Sequence, residues 1–392
     1  MPSSILFVHQ GYELYGSDRT LVQSVHAAAC RWPKARITVL LPRDGELRTA
    51  LLSIVKDVRI VDLAVLRKSN LKSLKLRDVG SLIKEILEAR RMARGYDLIY
   101  INTVLVVDYI LAAGVVRRPC IVHVHEIPVG LQALFFSALL ALSRAFVVFN
   151  SLATERSFRL PFWQPRAVVW NGVATPPDTP PATSHPTLNL LLIGRFNSWK
   201  GQQVLLRAVA QLSPELRTHV RVRLVGSVFG DQAHFADELV RIIAEHGLSE
   251  IVEMCPFTPD PSPHYAWASM IVVPSIKPEP FGLVAIEAMA AGRGVIAANH
   301  GGLSEIVVDG VTGTLVAPGS IESLSAAIVS YIQDSARVTA EGNAGRERFA
   351  AEFEETHYKS RITDIIAGLA KSKGADQGRG SVACRRPRNT RV

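Results

Sequence analysis

Two series of strand and helix patterns, separated by a proline-rich segment, constrain the fold of this chain more than any other feature. In the first series, apolar runs such as ILFVH (Ile5–His9) and DLIYIN (Asp97–Asn102) alternate with helical patterns. In the second, LNLLLIGR (Leu188–Arg195) and ASMIVVPS (Ala268–Ser275) do the same. Strands that are apolar on both faces, with helices between them, are typical of a covered parallel sheet. The sequence therefore predicts an α/β fold with two doubly wound domains that face a central cleft.

The proline-rich segment sets the predicted domain boundaries. Residues 174–187 include five prolines, which neither pair in a sheet nor extend a helix, so this segment is predicted to be a linker. It separates an N-terminal domain, residues 1–173, from a C-terminal domain, residues 188–345. Residues 346–370 are predicted to form a helix that crosses back to the N-terminal domain. The polar, basic residues 371–392 are predicted to be a disordered tail.

The positive charge of the chain is concentrated in its N-terminal half. The net charge is +9, and residues 1–173 carry 23 Lys and Arg against 13 Asp and Glu. Much of this charge lies in RKSNLKSLKLR (Arg67–Arg77) and ARRMAR (Ala89–Arg94). Two interpretations remain open: a solvated basic surface, or a face that docks on an anionic membrane. Nucleic acid is disfavoured as a partner because no recognition module is visible.

The cysteines and the apolar segments predict the cellular compartment of the protein. Four cysteines lie far apart with no C-x-x-C pair, which argues against zinc and disulfides and for a reducing cytosol. The N-terminus runs straight into a strand without a basic region, so no signal peptide is predicted. The apolar segment Leu131–Phe149 is almost long enough to span a bilayer. Its polar interruptions and its β-rich end favour a buried helix that leads into a strand.

The segment GRFNSWKG (Gly194–Gly201) predicts an anion site. Arg195 and Lys200 lie between the end of a strand and the start of a helix. Free N–H groups and the helix dipole favour an anion at such a position, and the two cations add to this effect. The alternative is a pair of ordinary surface cations. Because strand, loop, glycines and helix occur together, the phosphate site is the preferred interpretation.

A second segment, KPEPFGLVAIE (Lys277–Glu287), places two carboxylates eight positions apart. Glu279 is predicted in a loop at the carboxyl end of the sheet, and Glu287 about two turns into a helix. That separation is too large for an acid–base pair acting on one bond, and it suits two hydroxyl-bearing parts of one extended ligand. Glu287 has apolar neighbours, so it is expected to be partly buried with a polar partner. Gly301 and Gly302, in GGLSE, are expected to permit close approach of the backbone to a ligand.

These motifs resemble the retaining glycosyltransferases of the GT-B fold, two Rossmann-like domains, and most closely glycosyltransferase family four. The resemblance spans about residues 4–365 and depends on EPFGLVAIE, which fits the E-x7-E signature, on GRFNSWKG, on GGLSEIVVDGVTGTLV and on the NGV before the linker. The glycine-containing first loop departs from the family's usual Gly-Gly-x-Glu, because it is Tyr15-Gly16-Ser17-Asp18.

The resemblance implies a site for a nucleotide-diphosphate sugar. Arg195 and Lys200 would hold the diphosphate, together with the amide of Gly16 from the N-terminal domain. Glu279 would bind hydroxyls of the donor sugar, and Glu287 would hold the ribose. The donor is a substrate, and no cofactor is expected.

The remaining implied roles concern the backbone and one histidine. The backbone of Phe281, Gly282 and Leu283 would lie beside the donor sugar. His125, in HVHE, would lie close to the reacting centre at the end of a strand. His123 shares a strand face with His125, and its predicted role is structural.

The implied reaction moves a sugar from the nucleotide-diphosphate donor to an acceptor hydroxyl with retention of configuration. The sequence contains no D-x-D triplet, so no essential metal is expected. The predicted acceptor is a saccharide, lipid-linked, in bacterial polysaccharide or lipopolysaccharide assembly, and the predicted location is the cytoplasmic face of the plasma membrane. The alternatives are a sugar-nucleotide epimerase on the same fold, a phosphorylase-like enzyme, and a catalytically silent subunit that binds a nucleotide sugar.

Overall fold

The chain divides into two compact units. A computed structural model describes residues 1–66, 77–116, 118–176, 187–228 and 233–372. Unit 1 comprises Met1–Asn171 with Glu355–Val392, and unit 2 comprises Gly172–Glu354. Most of the predicted linker, the basic run Arg67–Arg77 except its last residue, and nearly all of the predicted tail lie outside the described residues.

Unit 1 is built on a seven-stranded parallel sheet in the order β3-β2-β1-β4-β5-β6-β7. Its strands are β1 (Ser4–Val8), β2 (Arg36–Leu41), β3 (Asp57–Ile60), β4 (Leu98–Ile101), β5 (Cys120–Val124), β6 (Phe146–Phe149) and β7 (Arg166–Val168). Its helices are α1 (Gly16–Arg31), α2 (Glu46–Leu52), α3 (Arg77–Arg94), α4 (Val107–Val116), α5 (Leu131–Ser143), α6 (Leu152–Arg156) and a last one from the C-terminal part of the chain.

The central strand β1 shows why this sheet is covered on both faces. Its side chains alternate between two cores, because Leu6 and Val8 belong to one buried cluster, and Ile5 and Phe7 belong to another. β1 pairs with β2 on one side and with β4 on the other, so the strand order reverses here. The carboxyl ends of strands at such a point are where open α/β sheets bind ligands.

Unit 2 repeats this architecture with a six-stranded parallel sheet in the order β10-β9-β8-β11-β12-β13. Its strands are β8 (Leu188–Ile193), β9 (Val220–Val225), β10 (Val252–Cys255), β11 (Met270–Val273), β12 (Gly294–Ala298) and β13 (Gly313–Val316). Its helices are α7 (Gln202–Ala210), α8 (Pro214–Arg217), α9 (His234–Glu245), α10 (Ser262–Trp267), α11 (Leu283–Ala290), α12 (Leu303–Ile306), α13 (Ile321–Gln333) and α14 (Ala336–Arg348). The prediction of two doubly wound α/β domains is confirmed.

The prediction of a single helix over residues 346–370 is wrong. α14 ends at Arg348, a π-helical turn covers Phe349–Phe353, and α15 (Glu355–Ser372) begins after Glu354, which is extended. Phe349 and Phe353 are both buried in unit 2, and because four positions is also the α-helical spacing, the sequence pattern does not reveal the π turn. α15 belongs to unit 1, where the hydroxyl of Tyr358 lies 2.6 Å from Ser24 Oγ on α1.

The apolar segment Leu131–Phe149 forms a helix that leads into a strand, as predicted, but the helix is not fully buried. α5 covers thirteen residues of it and β6 follows. Leu131 is 83% exposed and Leu142 is 70% exposed, whereas Leu139 and Leu140 lie in the core. Within the described ranges, none of the helices combines the length and the apolar character needed to cross a membrane.

His123 lies inside unit 1, in agreement with its predicted structural role. Its side chain is fully buried, and its Nδ1 lies 2.8 Å from the hydroxyl of Tyr100. Its ring centroid lies 4.1 Å from that of His125, so the two side chains share a strand face as predicted. Burial lowers the pKa of His123 to about 3. The ring is therefore neutral and shares a hydrogen bond with the Tyr100 hydroxyl.

This buried ring predicts a pH dependence of stability. The unfolded histidine titrates near 6.5, so His123 contributes stability that is complete above that pH and is lost as the pH falls toward 3. In His123→Gln, the amide supplies both a donor and an acceptor for the Tyr100 hydroxyl and does not titrate. Between pH 6 and pH 4, the difference in free energy of unfolding between wild type and this variant should change by about 1.4 kcal/mol per pH unit. Urea unfolding of wild type and variant at each pH measures this difference. The same pH dependence of the free energy of unfolding in both proteins would contradict the low pKa of His123.

Candidate functional site

The principal cluster of unit 2 lies where two neighbouring strands end. β8 and β11 pair in parallel, so the loops that follow them meet at the same edge of the sheet. Lys200, before α7, places Nζ 2.8 Å from Oε1 of Glu279, before α11. The Ser275 hydroxyl donates to the same carboxylate oxygen. Both charged side chains are largely buried, so each depends on the other for compensation.

The Lys200–Glu279 pair keeps the carboxylate ionised in a buried position. Burial by itself raises the pKa of Glu279. The ammonium of Lys200 and the hydrogen bonds from Lys200 and Ser275 outweigh burial, so the pKa lies below its ordinary value. Among the described residues, Lys200 and Ser275 both bond to Oε1, and no hydrogen bond is made to Oε2. Oε2 is therefore the oxygen left to accept hydrogen bonds from a ligand.

The loop that carries Lys200 is held by its own side chains and by a close backbone approach. Asn197 Oδ1 accepts from the amides of Trp199 and Lys200 at 3.1 and 2.9 Å. Gly201 has a φ of 82°, and a Cβ there would lie 2.1 Å from the carbonyl oxygen of Pro274. Only glycine fits, and it brings the start of α7 against the strand end that leads to Glu279. Arg195 lies in the same loop, and its carbonyl accepts from Gln202 Nε2 at 2.9 Å.

The start of α11 presents backbone rather than side chains. Gly282 has a φ of 124° and caps the helix, whose first residue is Leu283. Phe281 points into the core, where its ring centroid lies 6.2 Å from that of Phe353. The first amides of a helix lack partners within it, which makes this end suited to an anion.

Glu287 lies farther along α11 and is partly buried. The hydroxyl of Tyr265 donates to its Oε2 at 2.8 Å. Tyr265 is held in turn by the buried Arg293, whose Nε donates to the Tyr265 carbonyl at 2.9 Å. Burial, with the nearby Arg346, lowers the pKa of Arg293 to about 10. The carboxylate of Glu287 is thus positioned through a chain of two side chains.

The structure gives Gly301 and Gly302 a packing role, and their approach to a ligand stays a prediction. A Cβ at Gly301 would lie 2.4 Å from the carbonyl oxygen of Glu279, and one at Gly302 would lie 2.5 Å from Cα of Phe281. The amide of Gly302 donates to the Glu279 carbonyl at 2.8 Å. These glycines let two loops of unit 2 pack backbone to backbone, and they thereby fix Glu279.

Unit 1 carries a separate polar cluster at the carboxyl ends of β1 and β4. His9 Nε2 lies 2.7 Å from Oδ1 of Asp18, whose other oxygen accepts from the amide of Tyr15 at 3.1 Å. A Cβ at Gly11 would lie 2.1 Å from Asp18 Oδ1, so any other residue here would displace the carboxylate. Gly16 is the first residue of α1. Asp18 therefore ties the first loop to β1, with the Gly16 amide at the start of a sixteen-residue helix.

Asn102 connects this cluster to His125. Its Nδ2 donates to the carbonyl of Ser17 at 2.9 Å, which places Oδ1 3.1 Å from Nε2 of His125. An amide oxygen only accepts, so His125 carries its proton on Nε2. Nδ1 is then an acceptor, and it has no hydrogen-bond partner in the described part of the chain. Burial, reinforced by the rings of His123 and His9, lowers the pKa of His125 well below its ordinary value.

Comparison with known proteins connects unit 2 to a family. Residues 182–348, nearly the whole unit, match the model of the glycosyl transferases group 1. Unit 2 is therefore similar to the group 1 glycosyl transferases. The chain is 38% identical over 174 residues to the D-inositol 3-phosphate glycosyltransferase 1 of Catenulispora acidiphila, which covers 43% of this chain and 41% of that protein. It is 32% identical over 214 residues to the lipopolysaccharide core biosynthesis mannosyltransferase LpcC of Rhizobium leguminosarum, 52% and 60% of the two chains.

The match to solved structures extends over both units. The structure of Anabaena HepE in complex with UDP-glucose is similar with a TM-score of 0.77 and 26% identity, over 93% of this chain and 99% of that one. The curated relatives are matched over a smaller part, about two fifths of the inositol phosphate enzyme. The GT-B fold is therefore shown over 93% of this chain.

Several residues of these two polar clusters were not predicted from the sequence. They are His9, Asn102, Tyr265, Ser275 and His300. His300 Nε2 donates to the carbonyl of Ser275 at 2.8 Å and so supports the carboxylate from the loop after β12. Four of the five, all except Tyr265, lie within two residues of a strand's carboxyl end, which is the signal that would have found them.

The hydrogen bond from His125 to Asn102 predicts one tautomer. In wild type, nitrogen NMR of labelled histidine should show Nε2 protonated and Nδ1 unprotonated, without titration near pH 6.5. Asn102→Leu removes the acceptor, so both tautomers should be populated. His125→Phe assigns the signal. Titration of wild-type His125 near pH 6.5, or a proton on Nδ1, would contradict this geometry.

Proposed function

We propose that the chain is a retaining glycosyltransferase that moves a sugar from a nucleotide-diphosphate sugar to an acceptor hydroxyl. The observation that carries the proposal is the buried Lys200–Glu279 pair beside the N-termini of α7 and α11, in a unit that matches the group 1 family. A cation and a carboxylate with an open oxygen, next to helix amides, suit a ligand that joins phosphates to a hydroxyl-rich ring.

The leaving diphosphate carries the growing negative charge of the reaction. Lys200 and Arg195 stabilise it from the loop after β8, and the amides of Gly282 and Leu283 do so from the start of α11. We also assign the Gly16 amide, at the start of α1, to the diphosphate. The bond from Lys200 to Glu279 orients its ammonium for the diphosphate.

The two carboxylates bind the donor sugar and the ribose. Oε2 of Glu279 accepts from sugar hydroxyls while Oε1 stays bonded to Lys200 and Ser275. The backbone of Phe281 lines the same position. Glu287, held by Tyr265, accepts from the ribose hydroxyls.

Transfer proceeds on one face of the sugar. The acceptor oxygen bonds to the anomeric carbon as the bond from that carbon to the phosphate oxygen breaks, and the acceptor's proton passes to the leaving phosphate. His125 is neutral and offers Nδ1 as an acceptor, so it orients a hydroxyl of the donor sugar or of the acceptor. Lys200 and Arg195 stabilise the charge of the diphosphate in place of a divalent metal. The proposed enzyme needs neither metal nor cofactor.

We assign the acceptor to the class of lipid-linked saccharides used in bacterial polysaccharide or lipopolysaccharide assembly. The mannosyltransferase LpcC, a relative named for lipopolysaccharide core biosynthesis, supports this class. The basic N-terminal half supports a position on the inner face of the plasma membrane. The alternatives predict different outcomes: an epimerase converts its donor without an acceptor, and a silent subunit binds the donor without turnover.

Donor binding tests this proposal directly. Calorimetric titration with UDP-, GDP- and dTDP-sugars in EDTA should show binding of one nucleotide class. Lys200→Ala and Glu287→Ala should weaken it at least about tenfold, since each removes a charged hydrogen bond. Lys277→Ala is the matched control, because this lysine is exposed in the loop between β11 and α11.

Turnover completes the test. With the bound donor and a lipid-linked acceptor, the product's anomeric configuration, read by proton NMR, should match that of the donor. Inversion would contradict retention. Binding that requires a metal would contradict the metal-independent site, and a folded wild type that binds no nucleotide sugar under any condition would contradict the proposed function.

A further inference from the structure

The outer face of α5 is an exposed apolar stripe. The helix, LQALFFSALLALS, contains no charged residue. Phe136, Leu139 and Leu140 face the core of unit 1. The exposed side chains recur every three or four positions and so form one continuous stripe along the helix: Leu131, Leu134, Phe135, Ala138 and Leu142. A helix that is apolar all round normally has both faces covered, so this stripe needs an explanation.

The loop between α6 and β7 extends the stripe with two aromatic side chains. This loop lies along α5, because the amide of Arg159 donates to Ser137 Oγ on the helix at 2.9 Å. At its tip, Phe162 is 94% exposed and Trp163 is 55% exposed. Aromatic side chains that project in this way are enriched where a protein meets the headgroups of a membrane.

A shallow cavity lies at the end of the stripe. It measures about 330 Å³ and is lined by Arg144, Trp163, Gln164 and Pro165. Gln164 is 2% exposed, and its amide donates to the carbonyl of Ala145. Its Oε1 is buried without a hydrogen-bond partner in the described ranges. The cavity thus offers a cation for a phosphate beside an apolar surface.

The charges around the stripe favour an anionic partner. Residues 127–165 contain three arginines, Arg144, Arg156 and Arg159, and one acidic residue. That residue, Glu155, is paired with Arg166 at 2.9 Å. A symmetric contact with a second copy of the chain would place the same arginines of both copies at one interface, where like charges repel. An anionic lipid surface receives the apolar stripe and the arginines together.

We propose that α5 and the loop 157–165 dock unit 1 on an anionic phospholipid bilayer, with a headgroup in the Arg144–Gln164 cavity. The stripe enters the interface at the level of the acyl chains, Phe162 and Trp163 lie among the headgroups, and Arg144 binds a lipid phosphate. This docking surface rests on the proposed lipid-linked acceptor, because it brings unit 1 to the membrane that would carry such a substrate.

Flotation with liposomes tests the docking surface. Wild type should float with phosphatidylglycerol vesicles and at least tenfold less with phosphatidylcholine vesicles. Phe135→Glu/Leu142→Glu, and separately Phe162→Ser/Trp163→Ser, should each reduce flotation at least tenfold. Arg144→Asn should reduce it severalfold; asparagine tolerates the left-handed backbone at this position, where φ is 54°. Val240→Glu is the matched control, since it makes the same change at an exposed apolar position of α9, and it should float like wild type.

A second readout follows Trp163 itself. Brominated phosphatidylglycerol should quench part of the tryptophan fluorescence of wild type, and Trp163→Phe should lose that part. Wild type that does not float, or stripe variants that float like wild type, would overturn the proposal. Sedimentation velocity tests the alternative that a second copy of the chain covers this face. If the wild type is a dimer and Phe135→Glu/Leu142→Glu dissociates it, a second copy covers the stripe, and the membrane proposal is overturned.

The same samples separate docking from glycosyl transfer. The stripe variants lie outside the donor site, so they should bind the nucleotide sugar like wild type in calorimetry. Flotation without donor binding by wild type would leave the docking surface standing and contradict the proposed function. Donor binding without flotation would leave the proposed function standing and contradict the docking surface.

Discussion

The buried ion pair between Lys200 and Glu279 is the interaction on which the rest of the unit 2 site depends. A carboxylate this deeply buried is unfavourable unless a cation and hydrogen bonds accompany it. Lys200 and Ser275 supply them on one oxygen, and the other oxygen remains for a ligand. The pair also joins the loops after β8 and β11, so that the starts of α7 and α11 are fixed by the same contact that keeps the carboxylate charged.

The glycines of these loops serve that contact. Gly201 packs against the carbonyl of Pro274, and Gly301 and Gly302 pack against the backbone of Glu279 and Phe281. At each of these positions a Cβ would overlap the backbone. The loops are therefore close-packed around Glu279, and its orientation does not depend on a ligand. Such preorganisation is what stabilisation of a developing charge requires. Unit 1 applies the same principle to His125, whose tautomer Asn102 fixes.

The sequence predicted the features that depend on local pattern. Apolar strands and helical periods gave both sheets, and the cations of GRFNSWKG lie beside a helix start because strand, loop and helix follow in order. Features that depend on tertiary contacts were missed or misread. The role of Gly301 appears only when its loop meets Glu279, and Asn102 acts on a residue 23 positions away. The break at Phe349–Phe353 was missed because the spacing of this pair is also that of an α-helix. The exposed face of α5 was misread because an apolar pattern does not say which face is covered.

The central claim is that Lys200 and Glu279 act as one unit toward the donor. A double-mutant cycle with Lys200→Met and Glu279→Gln, read as kcat/KM for the donor, tests it most directly. Each single change should lower kcat/KM by about 100-fold or more, and the double variant should lose far less than the product of the two, because either change already disables the pair. Losses that multiply in the double variant would show that the two residues act independently, and would contradict the account.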